Sequence, residues 1–272
     1  MLVDPDVAAA IDALPNHTNS YGYDAWGFNP NVAKRGYTFG KRIVFPYFRP
    51  EAFGLNNIPN GRVLIVGNHS GQLPFDGMIV ALVCLLAAKQ PRLVRAMVER
   101  WFPDVPYVSD LLWRCGAVLG DPINCRNLLL DDQSILVFPE GVRGSGKTWS
   151  HRYKLAPFGR GFMRLALQTD TPIVPCAIIG GEESIPSLFN VDFLARLLGV
   201  PYLPVPPHLP VAGLLAYLPL PVRFRIYFGK PIYESGRHDD EDAVIDERVS
   251  RVTSTIQDMI DDGLKNRRSI FR

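Results

Sequence analysis

The feature that most constrains this chain is a series of short β-branched and apolar runs, several of them followed by helix-forming sequence. Arg62 to Val66 (RVLIV) is the first, ending at Gly67-Asn68. Pro74 then stands where a helix can begin without losing a hydrogen bond, and the apolar stretch behind it stops at Gln90-Pro91. Leu93 to Val98, Ala117 to Leu119, Ser134 to Phe138 and Ile173 to Ile179 read as further strands, with a helix over Gly161 to Gln168. Arg223 to Phe228 alternates like an edge or half-buried strand. Strands alternating with helices predict an α/β fold, a mixed sheet flanked by helices.

At 272 residues the chain suits a single domain in three stretches. Residues 1–60, rich in Asn, Gly, Pro and aromatics, are expected to be an irregular, wrapping segment. Residues 61–235 form the core. Residues 236–272 form an amphipathic helix, with Val244, Val249, Val252, Ile256 and Ile260 at helical spacing, and a basic end at Lys265-Asn-Arg-Arg268. The span Ile185 to Val222 stands apart, because it is apolar, nearly uncharged and broken by many prolines. Proline forbids a long helix there. Two readings remain open: a buried excursion packed on the core, or a surface that dips into lipid or lines an acyl-chain channel.

A net charge of +2 gives no nucleic-acid footprint. The four cysteines, Cys84, Cys115, Cys125 and Cys176, are scattered among apolar neighbours, so free thiols in a reducing compartment are expected and no metal site. The N-terminus lacks the basic start and apolar stretch of a signal peptide. No window reaches the roughly 20 apolar residues of a spanning helix. Any membrane contact is therefore expected to be peripheral or monotopic.

Three clusters carry chemistry. Gly67-Asn-His-Ser-Gly-Gln-Leu-Pro-Phe-Asp-Gly77 follows the first core strand and puts His69 at the carboxyl edge of the sheet, where open α/β folds bind ligands. Asp76 falls in the first turn of the next helix and could pair with His69, fixing its tautomer and stabilising the imidazolium. The bland alternative is a histidine satisfied by backbone and an aspartate at a helix start. The second cluster, Phe138-Pro-Glu-Gly-Val-Arg-Gly-Ser-Gly-Lys-Thr148, brings Glu140, Arg143 and Lys147 to the same edge, an acceptor and two cations suited to a phosphorylated, hydroxyl-bearing substrate. The third, Thr171-Pro-Ile-Val-Pro-Cys176, puts a proline inside a strand, the mark of a bulge or an edge.

Together these motifs resemble the glycerolipid acyltransferase family, in particular its lysophosphatidic-acid-acyltransferase-like group. The family pattern is N-H-x-x-x-x-D, then F-P-E-G-x-R-S about seventy residues on, then a V-P motif. NHSGQLPFD, FPEGVRG and IVPC match it, and FGKPI at Phe228 to Ile232 resembles the family's closing strand. The chain departs from the pattern in having six residues between His69 and Asp76, where the family has four. That spacing is similar to the monoacylglycerol- and diacylglycerol-acyltransferase-like branches. The resemblance implies His69 and Asp76 as catalytic residues, with Asn68, Ser70, Glu140, Gly141, Arg143 and Lys147 in substrate binding. It implies an acyl-CoA or acyl carrier protein donor as co-substrate, a glycerolipid or lysophospholipid acceptor, no resident cofactor, and a place on the cytoplasmic side of a membrane surface. Backbone N–H groups near Gly67 or Gly141 are candidate oxyanion donors.

Two rivals belong to other classes. Gly141 to Thr148 satisfies G-x-x-x-x-G-K-[ST], the phosphate loop of NTPases, but a true loop opens into a helix and TWSHRYKLAPFG is a poor one. A non-catalytic lipid-binding or membrane-remodelling protein of the same fold would keep the apolar excursion and have no need of His69.

Overall fold

The computed structural model describes residues 2–15, 17–71, 75–99, 108–197 and 199–271. Its centre is a seven-stranded sheet: β1 (Glu51–Phe53), β2 (Val63–Gly67), β3 (Val94–Val98), β4 (Val118–Leu119), β5 (Ser134–Val137), β6 (Ile173–Ile179) and β7 (Arg225–Phe228). Their spatial order is β1-β7-β6-β2-β5-β3-β4. β2, β3, β4, β5 and β6 run parallel, β7 is antiparallel to β6, and β1 is parallel to β7. β2 and β6 are buried at every position, as strands covered on both faces must be.

Helices cover both faces. On one lie α1 (Pro5–Asp12), α2 (Pro30–Phe48) and α3 (Phe75–Leu86), packed over Val63, Ile65, Val174, Cys176 and Ile178. α4 (Val108–Arg114) packs on α2. On the other face lie α5 (Pro122–Leu130), α7 (Gly161–Thr169) and α11 (Asp242–Asn266), over Leu64, Val66, Ile173, Ala177 and Ile179. α6 (Val142–Ser145), α8 (Gly181–Ser184), α9 (Asp192–Leu197) and α10 (Leu209–Ala212) are one or two turns each. The α/β reading and the mixed sheet flanked by helices therefore hold. Pro74, read as the helix start, lies outside the described residues.

Three expectations need correction. The N-terminal segment is not irregular, since α2 alone runs for 19 residues. Asn29 caps it by accepting from Val32 N at 3.1 Å, and Pro30 takes the first helical position. Tertiary contact overrides the low propensity of its glycines: a Cβ on Gly36 would stand 2.5 Å from Cys115 Sγ, so the glycine lets α4 approach. Secondly, β7 is not an edge strand, because β1, too short to be seen in the sequence, pairs outside it. Finally, β6 with its Pro175 lies in the interior of the sheet. Pro175 is tolerated because the antiparallel ladder slips there: Cys176 pairs with Phe228 but Ile173 with Ile232, one extra residue on the partner side. The bulge reading of that motif was sound and the edge reading was not. Of the cysteines, Cys84, Cys125 and Cys176 are buried and Cys115 half-buried, all as free thiols.

Candidate active site

The parallel strands β2 and β5 end side by side, and their following turns meet at the carboxyl edge. Asn68 extends the sheet beyond β2 with its side chain, donating Nδ2–H to Ile178 O at 3.0 Å and accepting from Ile178 N at 2.7 Å. It is fully buried, and it fixes where His69 begins.

His69 is the partly open member of the cluster, its side chain 17% exposed. Its Nδ1 lies 2.7 Å from Asp76 Oδ2. Asp76 sits in the first turn of α3, fully buried, and also accepts from Ser70 N at 2.9 Å and Gly77 N at 2.7 Å. A carboxylate so furnished is an acceptor, so Nδ1 carries the proton and Nε2 is left with its lone pair. The ring stacks on Phe138 at 4.6 Å and 14°. Burial pulls the imidazole pKa down, but the charge and hydrogen bond of Asp76, with the charge of Glu140, outweigh it and raise the pKa above the ordinary 6.5.

Glu140 is buried beneath this pair. One oxygen accepts from His69 N at 3.0 Å; the other accepts from Ala156 N at 2.6 Å and lies 2.8 Å from Lys147 Nζ. Lys147 also reaches Glu182 Oε1 at 3.4 Å. Glu182 in turn accepts from Tyr153 N, and burial raises its carboxyl pKa to about 7 despite the lysine. One buried lysine thus balances two carboxylates and closes the 140–156 loop under the histidine. Gly144 completes the fit, since a Cβ there would stand 2.8 Å from His69 Cβ and 2.6 Å from Glu140 Cβ.

Of the residues singled out from the sequence, His69, Asp76, Glu140 and Lys147 are gathered here. Asn68 and Ser70 turn inward; Ser70 Oγ is buried with no hydrogen-bond partner among the described residues. Gly141 N donates to Phe138 O, so that amide is already engaged. Arg143 stands exposed on α6, touching Pro157 O at 3.3 Å. The phosphate-loop rival fails on geometry: its glycines feed a four-residue helix, and its lysine is buried between carboxylates. Sequence reasoning missed Phe138 as a platform and Glu182 as Lys147's second partner. The one available signal for the latter was an acidic pair, Glu182-Glu183, two glycines beyond a wholly apolar strand.

The family model described as Acyltransferase matches residues 49–179. The chain belongs to the glycerolipid acyltransferase family, and the reaction class is acyl transfer onto an oxygen. It is 38% identical over 267 residues, 93% of this chain and 71% of the relative, to an uncharacterized protein of Mycobacterium leprae. Human 1-acyl-sn-glycerol-3-phosphate acyltransferase alpha is 31% identical over 145 residues, 50% of this chain and 47% of that one. The fold is similar to the crystal structure of the 1-acyl-sn-glycerophosphate acyltransferase PlsC from Thermotoga maritima, with TM-score 0.53 and 18% identity over 87% of this chain and 81% of that one.

Proposed function

We propose that the protein transfers a fatty acyl group from a thioester, acyl-CoA or acyl carrier protein, to a hydroxyl of a glycerolipid or lysophospholipid, with His69 as general base. The observation that carries this reading is the 2.7 Å contact between His69 Nδ1 and a buried, fully engaged carboxylate, with Nε2 left to act. Nε2 takes the acceptor's hydroxyl proton as its oxygen attacks the thioester carbonyl. The C–O bond forms, the C–S bond breaks, and the proton passes from Nε2 to the departing thiolate. Asp76 steadies the imidazolium throughout. Glu140 and Lys147 serve by holding the His69 backbone, which leaves Arg143 on the rim to meet a phosphate if the acceptor carries one.

The setting is a membrane surface. Among the described residues no helix is long and apolar enough to cross a bilayer. The excursion over residues 185–222 lies against the site, where Asn190 Nδ2 donates to Gly146 O at 2.7 Å and Trp149 N donates to Ser187 O at 2.6 Å. Its outer side carries Phe193, Leu197, Val211, Leu214 and Leu215, all exposed. A lipid acceptor could then be engaged without being drawn into water.

The test is transfer of labelled acyl groups to a panel of lysolipids and glycerolipids by purified protein. Folded His69→Ala protein is expected to lose about 10²- to 10⁴-fold in turnover. Unchanged turnover would refute the mechanism. An inactive wild type that still binds lipid would favour the non-catalytic alternative.

A further inference from the structure

At the opposite edge of the sheet from His69, where the parallel strands begin, a cavity of about 300 Å³ is bounded by Gly61, Leu93 and Ser134, at the starts of β2, β3 and β5. Arg92 is committed to that wall: Nη1 donates to Gly61 O and Ser134 Oγ, and Nη2 to Pro59 O, each at 2.6 Å. The loop before α2 forms another wall. Asp24 ties this loop by accepting from Trp26 N and Phe28 N, both at 2.8 Å, and Trp26 Nε1 reaches across to Asp131 Oδ2 at 3.5 Å, at the end of α5. Arg95 of β3 also lines the cavity and is 2% exposed. Its Nη2 donates to Asp24 Oδ2, but Nε and Nη1 are buried with no hydrogen-bond partner among the described residues. Most of its donors are therefore unanswered. An unmet buried donor is destabilising, so the cavity favours an occupant that supplies acceptors.

The rest of the lining sets the occupant's charge. Arg92 and Arg95 stand against Asp24, Asp131 and Asp132, and even a protonated His17 brings the sum only to zero. α5 also ends here, at Asp131, and adds the negative end of its dipole. An anion therefore gains no net attraction, while a cation would meet the idle N–H groups of Arg95. A hydroxyl answers both, since it accepts from a guanidinium and donates to a carboxylate. Half-buried Trp26 adds a ring face against which the C–H side of a sugar ring can lie. The volume, at the lower end of small-molecule sites, suits a single ring. We infer that this cavity binds a neutral polyol of one six-membered ring, a monosaccharide or a cyclitol. The length of β2, on the order of 16 Å, separates it from the His69 edge, so the site is distinct from the reaction centre.

The probes are D-glucose, D-mannose and myo-inositol, each titrated at millimolar concentration against the full chain and read by saturation-transfer NMR. Saturable transfer to at least one of them is expected. Arg95→Lys keeps a cation opposite Asp24 but removes the guanidinium Nε and Nη1 donors, and should weaken binding about tenfold. Asp131→Ala, at an exposed position, removes an acceptor and should weaken binding about fivefold. Thermal melts establish that each variant folds. Arg95→Lys decides the matter, and Asp131→Ala decides it if Arg95→Lys does not fold. Binding unchanged in the deciding variant overturns the proposal. So does the absence of transfer to all three probes, which would leave the cavity to water. Tighter binding of glucose 6-phosphate or glucosamine than of glucose also overturns it, because the cavity would then select a charge. No arm depends on acyl transfer, so an inactive protein leaves the result as it stands.

Discussion

His69 titrates in a contest between burial, which favours the neutral ring, and Asp76 and Glu140, which favour the cation and prevail. A general base works only when neutral, so kcat/KM should fall as pH drops through a pKa above the ordinary 6.5. Asp76→Asn removes the largest raising influence. Its residual activity, lowered about 10²- to 10⁴-fold, should show an acid limb displaced to lower pH. A pH–rate profile with the limb unmoved would mean that some other group sets it. The residues of this contest differ in how legible they were. His69, Asp76 and Glu140 stand in motifs whose residue types and order announce the chemistry. Lys147 sits in one as well, yet its placement there suggested a phosphate contact. It turns inward instead, to Glu140 of the same motif at 2.8 Å and to Glu182, 35 positions away, at 3.4 Å, and no local pattern encodes the second partner. Asn68 likewise reads as polar and available, whereas β6 takes both ends of its amide.

Among the elements, the readable ones were those with an unbroken apolar run, β2, β5 and β6, and those with apolar residues at helical spacing, α7 and α11. Elements specified by contact were not. β1 is three residues long and exists because β7 offers it an edge, while α2 carries two glycines that only make sense against its neighbours. The proline-rich excursion lies between these cases. Its inner residues Ile185, Ala216 and Val222 are buried, and its outer ones are among the most exposed apolar side chains in the protein: Val211 at 93%, Leu214 at 86% and Leu215 at 69%. The buried reading therefore describes the inner side of the span, and the outer side is an apolar surface open to solvent. Tyr217 belongs to the inner side, since its hydroxyl donates to Pro204 O at 3.0 Å. Replacing Leu214 and Leu215 with serine should leave the melting temperature nearly unchanged, because the side chains are already in water. It should weaken vesicle sedimentation and activity on bilayer substrates, and spare a short-chain soluble acceptor. Equal losses on both acceptors would place these leucines in the reaction itself.

At the scale of the molecule, the two ends of the chain brace the site from opposite faces. α1 and α2 pack over α3, which carries Asp76. α11 packs on β6 and delivers Arg267 to Glu183, with Nη2 donating at 2.7 Å and the guanidinium 5.7 Å from the centre of the Tyr153 ring. Glu183 is 3% exposed, so removing its cation leaves a buried charge uncompensated. Arg267→Ala should cost about 3 kcal/mol in unfolding experiments, and pairing it with Glu183→Leu should restore part of that loss. If the single variant is as stable as wild type, the tail is not fastened in solution as it is here. The amphipathic period of α11 was plain in the sequence, but the ion pair that ends it was not, because Arg267 lies in a stretch that reads only as a basic tail.

The histidine ring is left with one usable edge. Asp76 occupies Nδ1 and Phe138 covers a face, so on the proposed mechanism whatever proton the imidazole accepts must leave by the nitrogen at which it arrived. The incoming alcohol and the outgoing sulfur therefore have to share that nitrogen within one turnover. Because the acyl group on that mechanism passes directly from sulfur to the acceptor oxygen, both substrates are aboard before either product departs, and initial-rate lines at fixed concentrations of the second substrate intersect in a double-reciprocal plot and do not run parallel.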